Sequence, residues 1–295
     1  MRKHILLLLT LTVSLRFVSQ TTTPTPNDFD KKYRFGLRVS GQPTWFSTTD
    51  KKTGSNGSVF GWGFGLNMEY RFSDVACLLT GIGGDFEGGK YTYKNDPSNN
   101  YQVAYFTDEN DEFITPTNGN VNKIRKNGTK AYLIKERKVK TTYVTIPLIL
   151  KLSTREYNNL KYFGLFGGEI GFRVKALATD SYSEGRKYTG DSLYTTIPIT
   201  EQSGMDVSKD ASLVPIRVGL HVGAGVEYRV APTTSFFGSI SYFKSFTNFA
   251  KNKSEYLFYN WNEFDKAGNN SNVSFSFIKQ QLIYNAIRIN VGIMF

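Results

Sequence analysis

The chain has 295 residues, a formal net charge of +11, 15% aromatic residues, 27 glycines, two histidines and a single cysteine. One cysteine excludes an intramolecular disulfide framework, and so few His and Cys leave no ligand set for a structural metal. The length suits one large domain or two small ones, and glycine with aromatics favours strands and tight turns over helices.

The N-terminus opens with Arg2 and Lys3, continues with "HILLLLTLTVSL" and exits through "RFVSQ". A basic start, a short apolar core and a small-residue exit predict a secretory signal peptide over residues 1–20, too short for a spanning helix. Its removal lowers the formal charge to +8 through loss of Arg2, Lys3 and Arg16. The "TTTPTP" segment that follows predicts a flexible linker over 21–32.

From residue 33 the chain alternates with a period of two, the signature of a strand with two different faces. Residues 33–46 set Tyr33, Phe35, Leu37, Val39 and Trp45 against Arg34, Gly36, Arg38, Ser40 and Gln42. Residues 60–72 put Phe60, Trp62, Phe64, Leu66, Met68, Tyr70 and Phe72 opposite three glycines, Asn67, Glu69 and Arg71. Residues 75–87 set Leu78, Ile82 and Phe86 against Gly81, Gly83, Asp85 and Glu87. The runs 139–152 and 161–178 follow, the first with Tyr143, Thr145 and Lys151 on its polar face, the second with Glu169, Gly171, Arg173 and Lys175. In 213–230 nine apolar residues oppose Arg217, Gly219, His221, Gly223, Gly225, Glu227 and Arg229. Residues 235–247 alternate less cleanly because Phe237 and Phe243 fall on the polar face, and 283–295 end the chain with Arg288 and Asn290 on theirs.

The connections alternate strictly between short and long. "SD", "STREYNNL" and "APTT" join the second to third, fourth to fifth and sixth to seventh runs, while every other connection is longer. An outer-membrane barrel has this pattern, with short periplasmic turns, long external loops and an even strand count. The expected fold is therefore all-β, an eight-stranded antiparallel transmembrane up-and-down β-barrel over 33–295. Runs longer than the roughly 9–11 residues needed to span predict protrusion outside. Aromatic belts are expected at Trp45 and Trp62 on the external side and at Tyr70, Phe72, Tyr228 and Phe295 on the periplasmic side.

"TTYVTIPLILKLS" (141–153) looks like the "IPL" strand of the PorT-like outer-membrane β-barrel family of Bacteroidetes. "GLHVGAGVEYRV" (219–230) resembles the same family's glycine-rich strand, and the closing "INVGIMF" looks like an outer-membrane assembly signal carried by Asn290, Gly292 and Phe295. The resemblance covers residues 33–295. It implies an outer-membrane location after export with a cleaved signal peptide, and engagement of the barrel-assembly machinery through the last strand. One branch of the family serves a secretion system for C-terminally tagged proteins, which implies an envelope or secretion protein as partner.

The predicted lumen carries Arg38, Glu69 and Glu227 low, Tyr143, Glu169, His221 and Arg288 in the middle, and Asp85, Glu87, Arg173 and Arg217 high, with Arg71 beside Glu69. Both signs at every level predict buried ion-pair networks. A plug that ties the strands together is the favoured reading; a gated pore or proton path is the alternative. The inward glycines imply either free volume or large side chains reaching across. Pro147 removes one ladder donor and predicts a bulge or other strand irregularity.

Enzymatic readings are weak, because the one mature histidine, His221, sits mid-lumen, away from the rim. No catalytic, metal or cofactor-binding residue is predicted, and "GAGVEY" lacks the dinucleotide fingerprint. The external loops are the expected business end. The second carries "DENDE" (108–112) and a basic stretch (123–140) that either contacts lipopolysaccharide phosphates or continues a strand into solvent. Expected partners are outer-membrane lipid and lipopolysaccharide, and nucleic acid is not among them. The function expected is structural or partner-binding, with a narrow solute channel as the alternative and a lipid-modifying enzyme a distant third.

Overall fold

The computed structural model describes residues 32–190, 193–198, 200–208 and 212–295. The predicted signal peptide and most of the linker lie outside the described residues. Eight long strands follow one another: β1 (Tyr33–Thr48), β2 (Val59–Arg71), β3 (Ala76–Tyr93), β4 (Lys130–Ser153), β5 (Leu160–Gly190), β6 (Ile216–Ala231), β7 (Thr234–Asn248) and β8 (Leu282–Met294). Each pairs antiparallel with the next, and β8 pairs with β1 from Gly36↔Met294 to Thr48↔Leu282, so the ring closes. Closure removes the unpaired edges that could not exist in lipid. Among the described residues no helix is long and apolar enough to cross a membrane.

The alternation faces the way lipid requires. Phe35, Leu37, Val39, Phe64, Leu66, Ile82, Leu148, Leu152, Phe166, Ile240, Ile289 and Val291 are half or more exposed on the outer surface. Arg38, Glu69, Glu169, Arg217, His221, Glu227 and Arg288 are buried inside. At the periplasmic end Tyr33, Phe72, Tyr162, Tyr228 and Phe295 are exposed, with Tyr33 and Tyr70 in ring contact at 5.1 Å. At the other end Trp62 stacks on Phe86 at 4.4 Å and Trp45 meets Tyr242 at 6.3 Å.

Three local features refine the sequence expectations. Pro147 makes no bulge: it holds register opposite Glu169, while the β3–β4 ladder is interrupted between Thr80↔Leu148 and Gly83↔Thr145. The chain there is Gly81, whose φ of +150° is open to glycine and whose added Cβ would strike the Leu66 carbonyl. A register shift sets Tyr143↔Arg173 beside Thr142↔Lys175, and this extra residue turns Lys175 outward and Ala176 inward. The inward glycines leave little free volume: at Gly61, Gly63, Gly65 and Gly223 backbone and polar side chains stand close, and at others rings fill the space. An added Cβ would meet Phe243 at Gly219, Phe163 at Gly225 and Phe237 at Gly292. Phe237 and Phe243, which interrupted the polar face in the sequence, are these fillers.

β3, β4 and β5 run far past the apolar band. Short strands lean on their external ends: Ala104–Thr107 pairs with β4, while Leu193–Thr196 and Glu201–Asp206 pair with β5. With a six-residue helix α1 (Trp261–Lys266) and the loops around it, they build a folded cap.

Candidate functional site: the lumenal plug and the external cap

Two charge clusters fill the lumen. In the lower one, Lys151 on β4 reaches Glu69 on β2 at 2.5 Å and Glu227 on β6 at 2.7 Å. Arg34 on β1 reaches Glu227 at 2.6 Å and Glu69 at 3.5 Å, and also donates to the Ser235 hydroxyl. Two cations thus share two carboxylates, and four strands are tied across the ring. The partners of Glu69 and Glu227 are Lys151 and Arg34. Arg38, expected to serve them, acts higher, on Asp85 and His221, while Arg71 lines the same cavity at the periplasmic mouth as Glu69, Glu227, Arg34 and Lys151, together with Asp74 and Lys161.

The upper cluster is denser. Arg288 on β8 grips Glu169 on β5 with both guanidinium nitrogens, one at 2.9 Å. Arg217 on β6 pairs with Glu87 and lies 3.1 Å from Glu169. Tyr284 donates to Glu87 at 2.6 Å, and Thr145 donates to Asp85 at 2.8 Å. Asp85 stands 3.9 Å from Arg288. Arg38 lies near enough to act electrostatically on Asp85 and His221. The Arg217 guanidinium sits over the rings of Tyr143, Tyr284 and Phe243 at 4.4, 4.7 and 4.8 Å, and Arg288 lies over Phe243 at 4.8 Å. Bidentate pairing and ring contact suit buried guanidinium, which is weakly hydrated and planar. Three carboxylates, Asp85, Glu87 and Glu169, meet three arginines, Arg38, Arg217 and Arg288, so the formal charge balances.

His221 lies 4.0 Å from Glu169, and neither ring nitrogen has a hydrogen-bond partner among the described residues. It lines a cavity of about 30 Å³ between the clusters, walled by Phe163, Leu165 and Phe237, with room for about two waters. Arg173 departs from the expected network: its guanidinium donates to the carbonyls of Ser208 (3.4 Å) and Leu213 (3.5 Å) in the connection above the barrel. Asn290 donates to Ser239 at 3.1 Å inside the wall. Phe295 is exposed and bonds through its backbone to Phe35.

Above the barrel the cap has its own apolar core. One cluster joins Phe46, Tyr91, Tyr105, Tyr182, Tyr256 and Tyr284 among others, and a second gathers Phe106, Tyr188, Phe258, Trp261, Phe264 and Phe275. Phe106 stacks on Phe258 at 5.1 Å and meets Phe264 edge-on at 5.0 Å. Arg125 donates to the Phe264, Asp265 and Ala267 carbonyls, so its charge closes the C-terminal end of α1. Arg186 pairs with Asp265 and Glu184 over the rings of Tyr194 and Trp261.

A buried pair, Arg137 with Asp180, sits in the first cluster. Nε and Nη2 of Arg137 donate to the two Asp180 oxygens at 2.7 and 2.6 Å, and its Nη1 donates to the Tyr256 hydroxyl. Burial alone would lower the Arg137 guanidinium; the Asp180 and Tyr256 charges more than offset this and raise it. Burial raises the Tyr105 hydroxyl well above its usual range, and Asp180 adds to the shift. Arg125 and Arg137 come from the 123–140 stretch, which continues β4 from Lys130 onward and also supplies buried ion-pair and capping groups. The sequence signal for this core was the aromatic run "YLFYNWNEF" (256–264) in a segment with no alternation. A solvated loop has no use for so many rings.

Between the loops lies an external cavity of about 680 Å³, with Phe113, Met205 and Tyr256 in its wall and Asp111, Glu112, Asp206 and Glu255 around it. Among the described residues, no group of three or more His, Cys, Asp or Glu is placed to hold a metal ion.

No curated protein matches the chain. Among solved structures, Neisserial surface protein A overlaps 88% of this chain and 95% of its own at 10% identity and a TM-score of 0.29. Ail, the attachment invasion locus protein of Yersinia pestis, overlaps 90% and 100% at 10% identity and 0.28. OprG from Pseudomonas aeruginosa overlaps 91% and 98% at 10% identity and 0.36. Overlaps this loose carry no argument about the task of this chain. A family match covers residues 18–251, most of the chain, and its description is outer membrane protein beta-barrel domain. The chain belongs to that family, the β-barrels of the bacterial outer membrane.

Proposed function

We propose that this protein is a closed, non-enzymatic barrel that acts as a pedestal, displaying a rigid binding surface outside the cell. The observation that carries the reading is the packed aromatic cap over a lumen whose charges are already paired. A channel needs a continuous wet path. Here Arg288–Glu169 and Arg217–Glu87 bridge the upper lumen, Lys151 with Glu69 and Glu227 bridges the lower, and the Tyr91–Tyr105–Tyr256 cluster stands above both. Such contacts cost free energy to separate, since one buried member left alone is destabilising by about 3–5 kcal/mol.

The surface offered to a partner is the cap, and its external cavity lies in the size range of ligand sites. Four carboxylates around apolar walls, with only Lys130 and Lys251 paired to Asp111 and Glu255 at the rim, favour a basic segment with an aromatic or aliphatic side chain. A narrower version, carried by the PorT-like resemblance alone, makes the partner a component or client of a secretion system. In that version export uses a signal peptide over 1–20, and the assembly machinery recognises the last strand through Asn290, Gly292 and Phe295.

Reconstitution in planar bilayers tests the closed lumen: no reproducible openings are expected, and steady single-channel currents would replace the pedestal by a narrow channel. Affinity capture from intact outer membranes tests the display role. The protein should retain a partner that is lost when Asp206 and Glu255 are both changed to Lys. Capture unaffected by that change would move the binding surface elsewhere.

A further inference from the structure

Along β3, β4 and β5 the outward positions change character at one level. On β3 they run Leu78, Ile82, Phe86 and then Lys90; on β4, counted upward, Leu152, Leu148, Val144 and then Lys140 and Lys138; on β5, Tyr162, Phe166, Phe172 and then Lys175. The inward positions invert at the same level, from Glu87 to Tyr91, from Thr141 to Val139, and from Arg173 to Ala176. The double inversion marks where lipid ends outside and the apolar cap core begins inside.

The heights agree. Lys140 is twelve residues above Leu152, Lys90 twelve above Leu78 and Lys175 thirteen above Tyr162. At ~3.3 Å per residue and a tilt of ~40°, these lysines stand ~30 Å above the basal apolar residues. The apolar band of such barrels is ~25 Å tall, which puts all of them in the outer headgroup layer.

Register brings the four together. Lys90 lies directly opposite Lys138, Lys140 is two residues further along the same face of β4, and Lys175 is opposite Thr142, diagonal to Lys140. Like charges placed opposite each other across a ladder are destabilising. None of the four makes an ion pair or side-chain hydrogen bond among the described residues. The carboxylates nearest in register are Glu136, which accepts from Asn56 at 2.7 Å, and Asp206, opposite Leu177 on the flank. In the lumen and cap, by contrast, Arg34, Lys151, Arg217, Arg288 and Arg137 are each paired with a carboxylate. Toward the external ends of β1, β2 and β7 the outward residues include Trp45, Trp62, which stands opposite Phe86, and Tyr242, the usual belt.

We propose that Lys90, Lys138, Lys140 and Lys175 form a binding site for the phosphate groups of outer-leaflet glycolipid, holding phosphorylated headgroups against the β3–β5 sector. The site rests on the membrane placement of the barrel and is independent of the pedestal reading. Anionic phosphate relieves the lysine–lysine repulsion, and ammonium groups on flexible stems suit a headgroup whose phosphates are not fixed in one orientation. Each lysine near an anionic surface contributes enough that four acting together are expected to change retention by at least about tenfold.

The full-length protein in neutral detergent, mixed with diphosphoryl lipid A or with lipid A stripped of phosphate, tests this by native mass spectrometry. The wild type should retain the diphosphoryl form at least about tenfold better, and excess inorganic phosphate at millimolar level should not displace it. K90Q/K138Q/K140Q/K175Q should lose the preference, while the all-arginine counterpart keeps it. Heat-modifiable gel mobility confirms folding; should the fourfold Gln variant not fold, K90Q/K138Q and K140Q/K175Q carry the same test separately. Equal retention of both lipids, displacement by free phosphate, or full retention by the Gln variants would each overturn the proposal.

Discussion

The barrel and the cap share three strands yet are built inside out with respect to each other. Between the periplasmic turns and the level of Lys140, apolar side chains point outward and the interior holds Lys151, Glu169, Arg217 and Arg288. Above that level the same strands point Tyr91, Val139, Ala176 and Ala178 inward, and lysines outward. In the first region lipid takes the apolar faces, so the interior is held by charge pairing. In the second, water takes the polar faces, and the interior is held by rings. Period-two alternation is common to both, and the phase of the polarity reports the solvent.

The largest effect is expected where that lumenal pairing is broken. Arg288→Ala leaves Glu169 without its bidentate partner and removes one of the cations around Asp85, at a cost of about 3–5 kcal/mol. The temperature at which the folded band converts to the unfolded band on gels should fall sharply. The companion variant R288M/E169Q removes both charges and should recover most of the loss. If the single change leaves the transition where it was, the lumen is not held by its ion pairs. Phe264→Ala should cost ~3 kcal/mol in the cap, and locally. Protease should then cut within 94–129 while the barrel's heat-modifiable mobility stays as in the wild type. Loss of both together would mean that cap and barrel fold as one unit.

How much of this was legible in the sequence follows from the same contrast. Eight alternating runs and the strict order of short and long connections give the ring, because period and loop length are local properties. The ends of the strands were less legible: β5 reaches Gly190 and β3 reaches Tyr93, since above the membrane the inward positions turn apolar and the simple pattern blurs. Charges on the inner face were readable residue by residue, yet their partners were not. Arg34 meets Glu227 across 193 residues of sequence, and that meeting depends on strand tilt and stagger, which no single run records. Arg38, low on the inner face by residue count, acts instead on Asp85 and His221, while Arg34 and Lys151 hold Glu69 and Glu227. The cap was hidden for another reason: its core is made by two- to six-residue strands and a six-residue helix, each too short to show a period. Only the density of rings in 256–264 pointed to it.

Glycine packing offers a sharper probe of the lumen at lower cost. An added Cβ at Gly219 would meet the Lys244 carbonyl and the Phe243 ring. Gly219→Ala should therefore cost about 1–3 kcal/mol through overpacking. Phe243→Leu in the same chain should return only part of it, because the carbonyl stays. Full tolerance of the alanine would mean that the interior is roomier than the ring contacts imply, and would favour the channel reading.

The smallest effect separates the regions by pH. Burial pushes the Tyr188 hydroxyl up from its usual 10.0 to about 12, opposed by the Arg125 and Arg186 charges. Below pH 10 the folded and unfolded chains both keep this proton, and its contribution to cap stability is complete. Between pH 10 and 12 the unfolded chain releases the proton while the folded cap retains it, so the equilibrium moves toward unfolding as pH rises. Protease sensitivity of the 94–129 segment should grow across this window, with tyrosinate absorbance lagging behind that of exposed tyrosines. Tyr188→Phe keeps the ring and removes the titrating group, so its sensitivity should rise less over the same range. An identical pH profile for Tyr188→Phe and wild type would remove Tyr188 as a cause of the alkaline weakness of the cap.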